Sequence, residues 1–272
     1  VSKVWFITGA QSGIGLEIAR AALADGERVV ATALEPAIVT SHLGSSERLL
    51  TARLDVTDEA RAQVVVAEAV AAFGTVDVLV NNAGIAMIGA VEECSDAEVR
   101  RILEVNFFGT MNVTRAVLPI MRERRAGHVI NIASVYGRFG DPGMAAYCAS
   151  KHAVVGMSEC LYHEVKNLGI RVTVVEPGLM RTPIHEATFH SQLHMPEYVT
   201  RRRTPIGEEP GNPQKLAAAI LQLAQHPHPP LHFLAGVDAV RRMAIEQRRR
   251  ARDFDAWKNL IMSLDYDAPA QS

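Results

Sequence analysis

Cysteine is scarce in this sequence. Cys94, Cys148 and Cys160 are the three among 272 residues, and no two of them form a CxxC pair. So sparse and odd a set excludes a disulfide framework and a thiolate metal cluster, and it suits a reducing compartment. Excess charge of either sign is also missing: 28 Lys and Arg stand against 30 Asp and Glu, a formal net charge of -2. That balance carries no electrostatic footprint for nucleic acid. No apolar run reaches the ~18 residues that a membrane-spanning helix needs, so no membrane partner is expected. The opening segment Val4-Trp5-Phe6-Ile7 reads as a strand and lacks the charged, apolar, small-residue order of a signal peptide. A cytoplasmic location is the resulting expectation. The sequence shows no internal repeat and no low-complexity tract.

What is present is an ordinary globular composition, 48% hydrophobic and 21% charged. A chain of this length buries about three quarters of its unfolded surface and needs no staples. Short β-rich runs alternate with helical patterns throughout. Strands are expected at Val4–Ile7, Arg28–Ala33, Leu49–Leu54, Asp77–Val80, His128–Ile132 and Ile170–Val175, with a last one at Leu231–Leu234. Helices are expected over roughly Ile14–Ala24, Asp58–Phe73, Asn106–Arg124 and Tyr147–Leu168. The strands are apolar throughout rather than alternating, which suits a parallel sheet covered on both faces. The fold expected is α/β: a Rossmann-type, doubly wound parallel sheet in a single domain over residues 1–272, with helices on both faces. Pro119 lies inside a helical stretch and predicts a kink or an early break. Two segments depart from the rhythm. Gly178 to Asn212 holds four prolines and little periodicity, and a substrate lid is expected over about 178–213. Past the stiff run His226-Pro227-His228-Pro229-Pro230, a C-terminal helical extension is expected over about 237–264.

The first strand runs into Thr8-Gly9-Ala10-Gln11-Ser12-Gly13-Ile14-Gly15. Glycines there remove Cβ atoms where the backbone turns sharply and where a pyrophosphate must approach. The helix that follows offers free N–H donors and the positive end of its dipole. The spacing is Gly-x3-Gly-x-Gly. Strand before, helix after and second strand following are the context a dinucleotide-binding turn requires.

Ser134 follows the fifth strand, Tyr147 comes thirteen positions later and Lys151 four after that. Positions four apart share one helix face, so Tyr147 and Lys151 point at one site. A phenol, with its reference pKa of about 10, is a poor base at neutral pH but a possible acid, and a nearby ammonium favours its ionised form. A serine hydroxyl at the carboxyl end of a strand stands where ligands bind in open α/β sheets.

Taken with Asp55-Val56, Asn81-Asn82-Ala83-Gly84, Asn106 and Pro177-Gly178…Thr182, these motifs resemble the short-chain dehydrogenase/reductase superfamily in its single-domain form of about 250 residues. They run in family order from residue 8 to residue 182. The resemblance implies nicotinamide-dependent hydride transfer. It implies that Tyr147 is the acid/base, that Ser134 orients the carbonyl, and that Lys151 bonds the nicotinamide ribose and lowers the Tyr147 pKa. Asn106 would support a water that links Lys151 to solvent. Gly9, Gln11, Ser12, Gly13, Ile14 and Gly15 would hold the pyrophosphate. Asp55 and Val56 would contact adenine, with the Asp55 carboxylate accepting from the exocyclic amine. Asn81, Ala83 and Gly84 would line the adenosine side and steady the sheet. Pro177, Gly178, Met180 and Thr182 would position the nicotinamide carboxamide and a phosphate.

The family selects its cofactor at the end of the second strand. The position of the NAD-selecting acid is Ala33, and the positions where NADP-binding members carry cations are Leu34 and Ser12. Missing repulsion permits a 2′-phosphate, while missing arginine weakens its capture. The balance favours NADP(H) slightly over NAD(H), and Glu35 folding back towards the ribose would reverse it.

Phe139, Met144, Met180, Phe189, Met195 and Tyr198 are expected to wall the substrate side, for a medium-sized hydrophobic ketone or secondary alcohol. Val135, Tyr136 and residues 138–144 stand near it, with Arg138 and Asp141 expected as salt-bridged loop residues. His185, His190 and His194 lack a supporting carboxylate pattern, so no metal is expected. The basic run Gln247–Arg252 stands beside Glu246, Asp253 and Asp255 and reads as a solvated or interface face. Cys148 reads as packing. The leading expectation is a carbonyl reductase or secondary alcohol dehydrogenase, forming a homodimer or homotetramer. The alternatives are an epimerase or dehydratase using the same Tyr–Lys pair, and a non-catalytic NAD(P)-binding redox sensor.

Overall fold

The structure is a computed structural model that describes residues 2–198 and 205–266. Its strands and helices alternate in chain order: β1 (Val4–Ile7), α1 (Gly13–Ala24), β2 (Arg28–Ala33), α2 (Pro36–Leu43), β3 (Leu49–Arg53), α3 (Glu59–Phe73) and β4 (Val78–Asn81). A short β5 (Met87–Ile88) precedes α4 (Asp96–Leu103), a π-helical turn (Glu104–Phe108) and α5 (Gly109–Arg124). Then come β6 (Gly127–Ile132), a 3₁₀ turn (Val135–Gly137), α6 (Ala145–Val165) and β7 (Ile170–Pro177). β8 (Phe189–His190), α7 (Pro213–Gln225), β9 (His232–Ala235) and α8 (Val237–Met262) complete the order.

Seven strands form one parallel sheet in the order β3-β2-β1-β4-β6-β7-β9. The order reverses between β1 and β4, which opens a crevice at their carboxyl ends, the place where such sheets bind ligands. Side chains alternate between the two faces, and both faces are covered. Trp5, Ile7, Val80 and Ile130 pack with Ile18 of α1 and Ile220 of α7. Phe6, Leu79 and Val129 pack on the opposite side with Val65 of α3, Val117 of α5 and Leu161 of α6. Covering both faces is what makes the strands apolar throughout.

Local signals account for most boundaries. Asp58 caps α3 by accepting from the Arg61 N–H, and Gly74 ends it in the left-handed region at φ 81°. Of the kink or early break expected at Pro119, the break does not occur: α5 runs through it to Arg124. Pro119 and Arg115, the residue whose carbonyl loses its donor, are both on the exposed side, where water can replace the missing bond. The stretch after β7 has more structure than its periodicity suggests. Met180 pairs with Gly211, and β8 adds in parallel to β5, so the expected lid region is tied to the body at two places. Residues 199–204 of that region lie outside the described residues.

Candidate active site

A cleft of about 1190 Å³ opens along the carboxyl edge of the sheet, over the point where the strand order reverses. The glycine-rich turn forms one end. Gly13 adopts φ 56°, and a Cβ there would stand 3.3 Å from Thr182 Cβ, so the segment after β7 lies directly across the turn. Gly15 does not line the cleft. Its missing Cβ leaves room for Asn82 Nδ2, which would be 2.4 Å away. Ser12 begins α1 without a side-chain cap, and the first turn holds no acid, so the leading N–H groups are free for an anion. The Gln11 Oε1 atom is buried and without a hydrogen-bond partner among the described residues. An uncapped helix start, a cradle without Cβ atoms and an orphaned acceptor fit a dinucleotide.

Asn82 completes this end. Its Nδ2 donates to the carbonyls of Thr8 at 3.0 Å and Gly9 at 3.1 Å. Thr8 Oγ1 in turn accepts from the N–H groups of Asn82 and Ala83, both at 3.0 Å. Ala83 and Gly84 line the cleft, whereas Asn81 lies behind it. Asn81 Nδ2 donates to Thr114 Oγ1 at 2.9 Å and to Asn131 Oδ1 at 2.8 Å, which makes it a brace between β4, α5 and β6. The expectation that Asn81 contacts the cofactor is corrected here, and the reason is parity. Asn81 shares a strand face with Leu79, which looks towards α5, and Asn82 falls on the other side.

Ala33, Leu34, Asp55 and Val56 line the same end. Leu34 is 53% exposed. The Asp55 Oδ1 atom accepts from the N–H and hydroxyl of Thr57, at 3.0 and 2.8 Å. Glu35 does not line the cleft.

At the centre, Ser134 follows β6 and starts the 3₁₀ turn, accepting from the Tyr136 N–H at 3.2 Å. Tyr147 and Lys151 stand on the first turns of α6, facing the cleft one above the other as their spacing requires. Lys151 Nζ donates to the Ile132 carbonyl at 2.9 Å. Burial pulls the Lys151 pKa down to about 8. Burial also pushes the Tyr147 phenol up to about 12, against a smaller downward pull from the Ser134 hydroxyl. The resemblance implied a lowered tyrosine; in the structure burial raises it, with the Ser134 hydroxyl as the opposing influence, and Tyr147 is a phenol at neutral pH. Asn106 sits in the π-helical turn, which turns its amide inward behind the cleft. It accepts from the Ile85 N–H at 2.8 Å and donates to the Ile85 carbonyl at 3.0 Å and to Ser150 Oγ at 2.9 Å. Its amide therefore fastens β5's approach to α6 rather than facing the substrate.

Pro177, Gly178, Met180 and Thr182 line the cleft beyond Lys151. The substrate wall differs from the one expected. Met144 and Met180 belong to it, but Phe139, Phe189, Met195 and Tyr198 do not. Pairing of β8 with β5 turns Phe189 into a small core with Met87 and Ile102 and leaves His190 on the cleft. Phe139 is buried against Ala239, the Met195 N–H is held by Glu93 at 2.8 Å, and the Tyr198 hydroxyl donates to Glu92. Ile85, Ala86, Ile88, Leu179 and Ile184 supply the apolar wall instead. These residues carry no mark in the sequence beyond being apolar.

Arg138 and Asp141 are both salt-bridged, each to other partners. Arg138 meets Glu159 at 3.3 Å and Glu176 at 3.6 Å, while Asp141 pairs with Arg242 at 3.0 Å. His185 Nε2 lies 2.8 Å from the Met180 carbonyl oxygen, and His194 lies 3.4 Å from Glu93. Among the described residues, no three His, Cys, Asp or Glu side chains gather as metal ligands. Nor, among these residues, is any helix long and apolar enough to cross a membrane.

A family model described as short chain dehydrogenase matches residues 3–193. The chain belongs to the short-chain dehydrogenase/reductase superfamily. Oxidoreductase BOA17 of Botryotinia fuckeliana (strain B05.10) is 35% identical over 272 residues, covering 97% of this chain and 99% of its own length. The 3-ketodihydrosphingosine reductase of Bacteroides thetaiotaomicron is 34% identical over 242 residues, with 86% and 88% covered. The crystal structure of a short-chain dehydrogenase from Streptomyces avermitilis matches with a TM-score of 0.91 at 38% identity, covering 98% of this chain and 100% of that one. This member of the superfamily is therefore an oxidoreductase by family, and the family's nicotinamide cofactors fit the cleft at its glycine-rich end.

Proposed function

We propose that this dehydrogenase/reductase is a carbonyl reductase or secondary alcohol dehydrogenase acting on a medium-sized hydrophobic ketone or alcohol, with Tyr147 as acid/base. The observation that carries the reading is the placement of Ser134, Tyr147 and Lys151 together on the cleft wall, with the buried Lys151 ammonium 5.8 Å from the centre of the Tyr147 ring. The bound nicotinamide supplies the hydride in reduction and accepts it in oxidation. The chain itself binds, orients and moves the proton. Ser134 donates to the carbonyl oxygen and orients it, and Tyr147 gives that oxygen its phenolic proton. The Lys151 ammonium then steadies the phenolate left behind. The wall of Ile85, Ala86, Ile88, Met144 and Leu179 keeps water away and selects apolar substituents. A relative named as a reductase of a 3-keto compound supports a ketone substrate.

NADP(H) is slightly preferred over NAD(H) in this reading. Ala33 presents no carboxylate to repel a 2′-phosphate, and Leu34 and Ser12 present no cation to hold it. Self-association as a homodimer or homotetramer through the long helices α5 and α6 belongs to the same proposal. The test is the absorbance change of NADPH and NADH with a panel of aliphatic, aryl and β-keto ester ketones. Turnover that disappears in Tyr147→Phe supports the reading. Tight nucleotide binding with no turnover on any ketone would favour a redox sensor.

A further inference from the structure

The C-terminal helix reaches back to the catalytic centre. α8 lays Ala239 and Met243 into the body, and Arg242 between them lines the cleft beside Tyr136 and Asp141. Arg242 Nη2 is 3.0 Å from Asp141 Oδ1. Its guanidinium lies 4.8 Å from the centre of the Phe139 ring and 5.7 Å from that of Tyr136. The Tyr136 hydroxyl donates to the other Asp141 oxygen at 3.2 Å. The Tyr136 ring then meets Tyr147 edge to face, with centroids 6.3 Å apart and planes at 78°. A continuous run of contacts thus leads from α8 through Asp141 and Tyr136 to Tyr147.

We propose that Arg242 is a positioning residue for Tyr147, and that α8 is through it a working part of the active site. The inference rests on the reading of Tyr147 as acid/base. Both Asp141 oxygens are engaged by Arg242 and Tyr136, so the arrangement faces inward on the protein's own side chains. A tyrosine ring has two rotatable bonds. Tethered at its hydroxyl by Asp141 and covered by a flat cation, Tyr136 has one place to stand, and the Tyr147 ring packs against it. Asp141 also accepts the Met144 N–H through its carbonyl at 3.1 Å, which places the Arg242 anchor in the loop that starts α6. Guanidinium suits this position because its charge lies near two rings while its N–H groups reach a carboxylate; an ammonium keeps the charge but has fewer donors in a less fixed geometry. Proton transfer is sensitive to displacements well below the size of an atom, so loosening the support lowers turnover without removing any reacting group.

The experiment uses full-length protein with saturating NADPH and the best ketone of the panel. Variants are Arg242→Met, Arg242→Lys, Tyr136→Leu, the double variant Arg242→Met with Tyr136→Leu, and Tyr147→Phe as control. Arg242→Met is expected to lower kcat roughly 10–30-fold while KM and the nucleotide Kd change less than about threefold. Arg242→Lys recovers part of the loss. With Tyr136→Leu already in place, Arg242→Met costs less than about threefold more, because the contact it acts through is gone. Should Arg242→Met not fold, Asp141→Asn takes its place with the same expected split. A kcat within about twofold of wild type overturns the inference, as does a raised KM at unchanged kcat or a full extra loss in the double variant. Activity retained in Tyr147→Phe brings down the underlying reading as well. An inactive Tyr147→Phe beside an unaffected Arg242→Met brings down this inference alone.

Discussion

Lys151 holds its ammonium 5.8 Å from the centre of the Tyr147 ring while donating to the Ile132 carbonyl at 2.9 Å. The lysine is thus fixed by the end of β6, the strand that also carries Ser134 to the cleft. Tyr147→Phe removes the phenolic oxygen and leaves the ring to pack. Turnover of a reducible ketone is expected to fall about 10²–10⁴-fold, with nucleotide binding kept. Steady-state rates and nucleotide titration check both halves, and near wild-type turnover would sink the acid/base assignment.

Leu34 stands at the cofactor end with much of its side chain in solvent. Leu34→Arg is expected to lower KM for NADPH more than for NADH, since a guanidinium pairs with a 2′-phosphate. Kinetics with both cofactors measure it. An unchanged preference would mean that this position does not face the ribose.

Gly15→Ala sets a methyl group 2.4 Å from Asn82 Nδ2 and 2.5 Å from the Gly9 carbonyl oxygen. The backbone atom cannot yield cheaply, so a loss of about 1–3 kcal/mol of stability is expected, together with weaker nucleotide binding. Denaturant titration tests the first and equilibrium binding the second. A variant as stable as the parent would contradict the close packing of the turn on Asn82.

His128 is fully buried in β6, with Nε2 2.9 Å from Thr173 Oγ1. Burial, then the charges of Arg171 and Lys3, pull its pKa down to about 3. The unfolded chain binds a proton there near pH 6.5 and the folded chain refuses it. The stabilisation is therefore complete above about pH 6.5 and is lost as pH falls towards 3, at about 1.4 kcal/mol per pH unit. Unfolding free energies between pH 7 and 4 give that slope, and His128→Gln should reduce it by one proton. An equal slope in the variant would assign acid lability elsewhere.

The segment following β7 is tied down at Phe189 and Ser191, whose N–H groups donate to Ala86 at 3.3 Å and Ile88 at 2.9 Å. These two amides are expected to exchange slowly in the free enzyme. The rest of Ile184–Tyr198 is expected to gain protection when nucleotide and ketone are added together, as a lid would. Uniform strong protection without ligand, unchanged on addition, would leave a rigid excursion and no lid.

Much of this was legible in the residues themselves. The strand–helix order, the glycine turn and the Ser134, Tyr147 and Lys151 set are local patterns, and regular geometry converts each into a position. The difference between Asn81 and Asn82 is legible in the same way, since the alternation of β4 puts them on opposite faces. Pro119 does not end α5, because the cost of a proline depends on whether water reaches the freed carbonyl, and that is a property of the packed surface.

The sequence by itself determined the parallel sheet and gathered Ser134, Tyr147 and Lys151 into one candidate set, because continuous apolar strand runs and four-residue helical spacing act over short distances. Tertiary structure alone decided that burial pushes the Tyr147 pKa up, that Phe189 turns inward while His190 faces the cleft, and that Arg242 arrives beside Tyr136. Burial, strand pairing and long-range docking are sums over residues far apart in the chain, and no local pattern records them.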